Sequence, residues 1–389
     1  MSETIDRILK AAVDRGAVPG VAAMVVSRDA TLYANGFGRR SPQDGADFDP
    51  QTVCAIASMT KALTSCAALQ LVEQGMLSLD APAGEILPWL GEVEVLTGFA
   101  SDGTPQTRPP KTPITLRHLL SHTAGFGYAY WNRELADYEA ATGAPSVSTR
   151  TLAGYRKPLL FDPGTRWNYG INTDWTGLLM EAAGGARLGT LLTRQLLEPL
   201  GMRETAFTPT EAMQTRLAAI HQRDEAGGLS VSEALRPTEP EVDAGGGGLF
   251  SSVADYARFC RMILNDGRAE DGTAVLDPDS LAALRRNETG DRPVTALRTQ
   301  MPALSRDAEF FPGVRKAWSL GFMLNLDQAP TGRSAGSLSW AGLTNCYCWI
   351  DPARDLAGIF MTQILPFFDI RALPLFLEFE TAVYRDLAR

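Results

Sequence analysis

Two hairpin signals stand at opposite ends of this 389-residue chain, and they restrict its fold more than any other feature. Near the start, Val21 to Val26 and Thr31 to Gly36 flank the turn Arg28-Asp29-Ala30. Near the end, Cys346 to Ile350 and Leu356 to Thr362 flank Asp351-Pro352-Ala353-Arg354-Asp355. Apolar, β-branched runs bounded by turn residues read as paired strands. An amphipathic helix precedes the first hairpin over residues 3–15, with Ile5, Leu9, Ala12 and Val13 at helical spacing and Gly16 after it, and another follows the second hairpin from about Ile370 to Leu387. Between the hairpins the periodicity is helical, at 59–74, 115–121, 173–183, 186–198 and 252–265. The pattern implies an α/β protein of the α+β type, in which one antiparallel sheet is built from both termini, flanked by helices, and carries an inserted, mainly helical region. The expected division is a discontinuous α/β domain, residues 1–57 with 243–389, and a mainly helical domain, residues 58–242, with any functional site expected at their interface.

Charge and cysteine usage narrow the partners. The net charge is −9 and the basic residues never gather into a run, so nucleic acid is not expected as a partner. The stretch Gly16 to Val26, free of polar side chains, falls well short of the ~20 residues that span a bilayer, so no membrane partner is expected. Five cysteines are an odd number in a long chain, which excludes a full disulfide framework and suits a reducing compartment. The first residues, Met-Ser-Glu-Thr-Ile-Asp-Arg, show no basic region followed by an apolar one, so a cytoplasmic protein is expected.

The first candidate for chemistry is Ser58-Met59-Thr60-Lys61. It opens a pattern (Met59, Ala62, Leu63, Cys66, Ala67, Leu69) that is apolar nearly all round and therefore buried. Lys61 lies one turn along the same face as Ser58, so an amine stands beside a hydroxyl. Serine is a poor nucleophile without a neighbouring base, and a lysine walled off from water has a lowered pKa and can serve as one. Read alone, Ser58 is equally an N-cap and Lys61 a solvated side chain. Gly332-Arg333-Ser334-Ala335-Gly336 is a rival, because it matches the G-x-S-x-G elbow of α/β-hydrolases. That elbow needs a histidine after the serine, and the three histidines, His118, His122 and His221, all precede it. His118 and His122 share a helical face but lack a third ligand, so no metal is expected. Gly245 to Gly248 is followed by no Gly-Lys-Ser, which points to close backbone passage rather than a phosphate cradle, with Ser252 and Asp255 capping the next helix. Phe126, Tyr128, Tyr130 and Trp131 form an aromatic cluster suited to an apolar pocket wall.

S-x-x-K is the nucleophile motif of class A β-lactamases and penicillin-binding proteins, which carry two further elements downstream. Here Tyr169 follows the turn Pro163-Gly164-Thr165, and Trp340-Ala341-Gly342 stands where K-T-G would be. With Leu119-Leu120-Ser121-His122-Thr123-Ala124-Gly125, Gly245 to Leu249 and Gln363-Ile364-Leu365-Pro366, the chain resembles the serine β-lactamase-like superfamily over almost its whole length, and within it the family VIII carboxylesterases. The resemblance implies Ser58 as nucleophile, Lys61 with Tyr169 as general base, and an oxyanion hole from the backbone N–H groups of Ser58 and Leu343. It places Trp340, Ala341, Gly342 and the loop of Phe126, Tyr128, Tyr130 and Trp131 at the substrate. Ile171 takes the position of the Tyr-x-Asn asparagine, and Asn172 is next to it. The implied activity is cleavage of small carboxylic esters without a cofactor. The alternatives are a β-lactamase or DD-peptidase, an acyltransferase, or a non-catalytic binding protein on the same fold. Oligomeric state is not readable.

Overall fold

The terminal hairpins meet in one sheet. The computed structural model describes residues 2–42, 45–235 and 240–387. Strands β1 (Gly20–Val26) and β2 (Thr31–Gly38) come from the start of the chain. Strands β3 (Lys316–Trp318), β4 (Met323–Asn325), β5 (Leu338–Gly342), β6 (Cys346–Asp351) and β7 (Leu356–Met361) come from the end. The order is β2-β1-β7-β6-β5-β4-β3 with every neighbour antiparallel, and the termini join where Met24 pairs with Ile359. The sheet is thus the antiparallel one expected. β3 and β4 were not expected: at three residues each they are too short to show an alternation of period two.

Every residue of β5, β6 and β7 is buried, as in sheets covered on both faces. Helix α1 (Ser2–Asp14) packs on β2 and on α5 (Ala372–Leu387), while α4 (Val253–Leu264) packs on β1 and β7. The apolar pattern after Ser58 forms α2 (Thr60–Glu73), buried from Thr60 to Leu71, and α3 (Asn172–Gly184) lies against it. The helical span expected at 186–198 is two pieces, Leu188–Leu192 and a π-helical turn Thr193–Leu197. Among the described residues no helix is long and apolar enough to cross a membrane.

Candidate active site

Cys54–Ala55 pairs antiparallel with Phe250–Ser251, which brings the chain entering α2 beside the glycine run. The backbone then turns at Ala57, whose φ of 43° lies in the left-handed region, and makes a 3₁₀ turn over Ala57–Met59 before α2 begins. A left-handed L-residue costs about 1–2 kcal/mol and such positions cluster at functional sites. Ser58 is half-buried at this turn. Lys61 is only 1% exposed, and its Nζ donates to Ser58 Oγ at 3.3 Å, to the Tyr128 hydroxyl at 3.0 Å and to the Gly246 carbonyl. Three acceptors match the three donors of an ammonium group. Burial nevertheless lowers the Lys61 pKa to about 8, with the nearby Asp174 charge opposing the fall.

Tyr169 completes the cluster. Lys61 Nζ stands 4.8 Å from its ring centroid, and its hydroxyl faces Ser58 and accepts Trp340 Nε1–H at 2.9 Å. Burial pushes the phenol pKa up and the Ser58 and Trp340 groups pull against it, so Tyr169 stays neutral where Lys61 titrates. The end of β5 is pressed onto the segment leading to Ser58: a Cβ on Gly342 would lie 2.2 Å from the Ile56 carbonyl, so only glycine fits. Thr344 Oγ1 donates to the Ala55 carbonyl at 2.7 Å, and the Gln363 amide grips Ala55 N–H at 2.9 Å and Thr344 Oγ1 at 3.1 Å. Leu343, between Gly342 and Thr344, lines the same cavity as Ser58.

A cavity of about 320 Å³ opens over Ser58, with Tyr128, Tyr130, Arg150, Asp174, Leu304 and Leu343 on its wall. Of the other residues expected at the substrate, Phe126, Trp131, Ile171, Trp340, Ala341 and Gly342 are buried and are not on that wall. Phe126 stacks with Trp89 and Trp175, Trp131 donates Nε1–H to Ser305 Oγ at 3.1 Å, and the Trp340 N–H is taken by Tyr169. These residues back the site rather than face it. Asn172 turns away too, its amide 2.9 Å from His122 Nδ1. His118 caps the helix Leu116–Leu120 with Thr115, so the two histidines serve separate local bonds.

The rival serine is remote from this cavity. The Ser334 N–H donates to Asp351 Oδ2 at 2.9 Å and Arg333 is paired with Glu380, so the G-x-S-x-G segment is a pinned turn leading into β5. Ser252 caps α4 through Asp255 N–H at 3.2 Å. The Asp255 carboxylate does not return that bond and instead accepts from Glu204 N–H and Thr205 Oγ1. The glycine run is a close passage: a Cβ on Gly246 would lie 2.3 Å from Asp174 Oδ2. Sequence reasoning missed Asp174 and Arg150. Asp174 had a signal, a carboxylate in the apolar helical pattern of 173–183, whereas Arg150 sits in irregular chain and had none.

The Beta-lactamase family profile matches residues 5–378. Lovastatin esterase from Penicillium rubens is 31% identical over 382 residues, covering 93% of each chain. Monacolin J acid methylbutanoyltransferase from Aspergillus terreus is 29% identical, over 98% of this chain and 95% of the relative. An unliganded simvastatin synthase from Aspergillus terreus superposes with a TM-score of 0.85 at 28% identity, over 99% of this chain and 98% of the other. The relatives named here are thus esterase and acyl-transfer enzymes. With its profile running nearly from end to end and a 31% identical relative over 93% of its length, the chain belongs to the Beta-lactamase family.

Proposed function

We propose that the protein is a serine carboxylesterase of the family VIII type, cleaving small carboxylic esters through an acyl-Ser58 intermediate. The observation that carries this reading is the buried Lys61 amine 3.3 Å from Ser58 Oγ, with its pKa lowered to about 8. Neutral Lys61 takes the Ser58 proton as Oγ attacks the ester carbonyl. The oxyanion is held by the N–H groups of Ser58 and Leu343, each such donor being worth on the order of 3 kcal/mol. Tyr169, beside Ser58 and Lys61, gives its own proton to the departing alcohol and is reprotonated from Lys61, which returns the amine to its neutral form. Water then attacks the acyl carbon as Lys61 takes its proton, the acyl–Oγ bond breaks, Lys61 returns that proton to Ser58 Oγ, and the acid is released. The cavity, at about 320 Å³, is at the small end of small-molecule sites, about 300–1,000 Å³, which favours small substrates. The five unpaired, buried cysteines suit a reducing compartment such as the cytoplasm.

A second reading is acyl transfer, because the same intermediate can be taken by an alcohol and one relative is named a methylbutanoyltransferase. Turnover of p-nitrophenyl esters of graded chain length, with and without an added alcohol, separates the two. Hydrolysis expected for an esterase leaves the free acid at any alcohol concentration, whereas an acyltransferase turns over only with the alcohol and yields the new ester. No turnover of any ester by wild type, or undiminished turnover by Ser58→Ala, contradicts both.

A further inference from the structure

Asp174 has no part in the acylation steps, yet it is the buried carboxylate facing the amine that performs them. It lies in the first turn of α3 and is 3% exposed. Its Oδ1 accepts the Gly246 N–H at 2.9 Å, and its Oδ2 is 3.5 Å from the Tyr128 hydroxyl. Tyr128 and the Gly246 carbonyl are in turn two of the three acceptors of Lys61 Nζ. The carboxylate therefore grips, from the far side, both groups that hold the amine. Lys61 to Tyr128, Tyr128 to Asp174, Gly246 N–H to Asp174 and Lys61 to the Gly246 carbonyl make a closed ring.

Each link has a directional consequence. A phenol has one proton, and if it points at Asp174 the Tyr128 oxygen can only accept from Lys61. A lysine amine on a four-carbon stem has many conformers. With one N–H aimed at Tyr128 and one at Gly246, the remaining position of the nitrogen is directed to Ser58 Oγ. Glycine at 246 is required by the same contact, because a side chain there would collide with the carboxylate.

We propose that Asp174 is a positioning residue which, through the Tyr128 hydroxyl and the backbone on either side of the Gly246 Cα, fixes the Lys61 amine against Ser58 Oγ. This rests on the reading of Ser58 as nucleophile and Lys61 as base. Burial raises the Asp174 pKa and lowers that of Lys61, and the charge of each opposes the shift of the other. The other groups around the amine are Tyr169 and Tyr128, whose phenols burial keeps protonated, and His122, which burial keeps neutral. Tyr130, Tyr155 and Arg150 line the cavity and feel the Asp174 charge. An Asp that only complements the N-terminus of α3 would matter to stability and leave the chemistry alone.

The test uses Asp174→Asn, Tyr128→Phe and the double variant on one p-nitrophenyl ester, after a fluorophosphonate has been mapped on wild type. Asp174→Asn is expected to lower kcat about 10- to 100-fold, the cost of a misaimed catalytic group, with KM within about 3-fold. Removing the negative charge no longer favours the ammonium, so the acid limb of kcat/KM moves to lower pH by about one unit or more. Tyr128→Phe, which keeps the ring and leaves Asp174 charged, is expected to lose kcat similarly with a smaller movement of the limb. The double variant should lose clearly less than the product of the single losses, because both act through one ring. Wild-type kcat and an unmoved limb in Asp174→Asn overturn the proposal, as does an undiminished kcat in Tyr128→Phe should the Asn variant not fold. If the phosphonate maps away from Ser58 in wild type, the reading beneath the proposal fails as well, and the two failures are told apart.

Discussion

Trp340→Phe removes one N–H from the candidate site and little else. The indole Nε1 is 2.9 Å from the Tyr169 oxygen, and Tyr169 is 1% exposed, so no water stands ready to replace the donor. Were Tyr169 merely structural, losing a neutral hydrogen bond would cost about 0.5–1.5 kcal/mol, all of it in stability and none in turnover. In the proposed cycle the Tyr169 oxygen gains negative charge as its proton moves to the leaving alcohol. A donor to a charged group is worth about 1.5–3 kcal/mol, so beyond the neutral bond already present the transition state loses about 1–1.5 kcal/mol, roughly 5- to 13-fold in rate. The variant should therefore lose about 5- to 13-fold in kcat, with KM for a small p-nitrophenyl ester nearly unchanged. The ring packs against Trp318 at 4.6 Å and Tyr169 at 4.7 Å, and Phe retains part of that contact. Its smaller volume should cost about 1–2 kcal/mol in denaturant unfolding. Loss of the donor pushes the phenol pKa further up, so the acid limb, set by Lys61, should stay in place. Unaltered kcat, or an acid limb that moves with the substitution, would refute the assignment of proton transfer to Tyr169 and titration to Lys61.

Three further outcomes follow from the same geometry. The Lys61 pKa is lowered to about 8 by burial and the amine must be neutral to accept a proton, so kcat/KM should rise with pH through about 8 and fall away below it; a profile flat from pH 5 to 9 contradicts this. Tyr169→Phe should lower kcat by about 10²- to 10⁴-fold at constant folded fraction by circular dichroism, and retention of wild-type kcat removes Tyr169 from the mechanism. Gly246→Ala sets a Cβ 2.3 Å from Asp174 Oδ2, so either the carboxylate or the peptide must shift. Strain of about 1–3 kcal/mol should appear in unfolding together with a kcat loss of at least about 10-fold, and normal values of both would show that the contact relaxes freely.

How legible the molecule was depends on the range of each signal. Lys61 beside Ser58 follows from a spacing of three across the 3₁₀ turn that runs into α2, and the terminal strands follow from turn residues between apolar runs, so both were readable locally. The face presented by Trp340 was not. In a strand with one wet side, alternation tells inside from outside, but Leu338 to Gly342 are all buried and the pattern carries no such mark. In the fold its N–H is donated to Tyr169. Asp174 and Tyr128 were each visible as residues, but their link to Lys61 joins three segments far apart in the chain, and only the fold brings these together. The strands β3 and β4 were hidden by brevity, since three residues cannot establish a period.

The central claim is that Ser58 becomes covalently acylated, and trapping it is the most direct test. A fluorophosphonate should add one equivalent by intact mass and map to the peptide containing Ser58, with the label lost in Ser58→Ala and retained in Ser334→Ala. A label on Ser334, or full labelling of Ser58→Ala, would contradict the account.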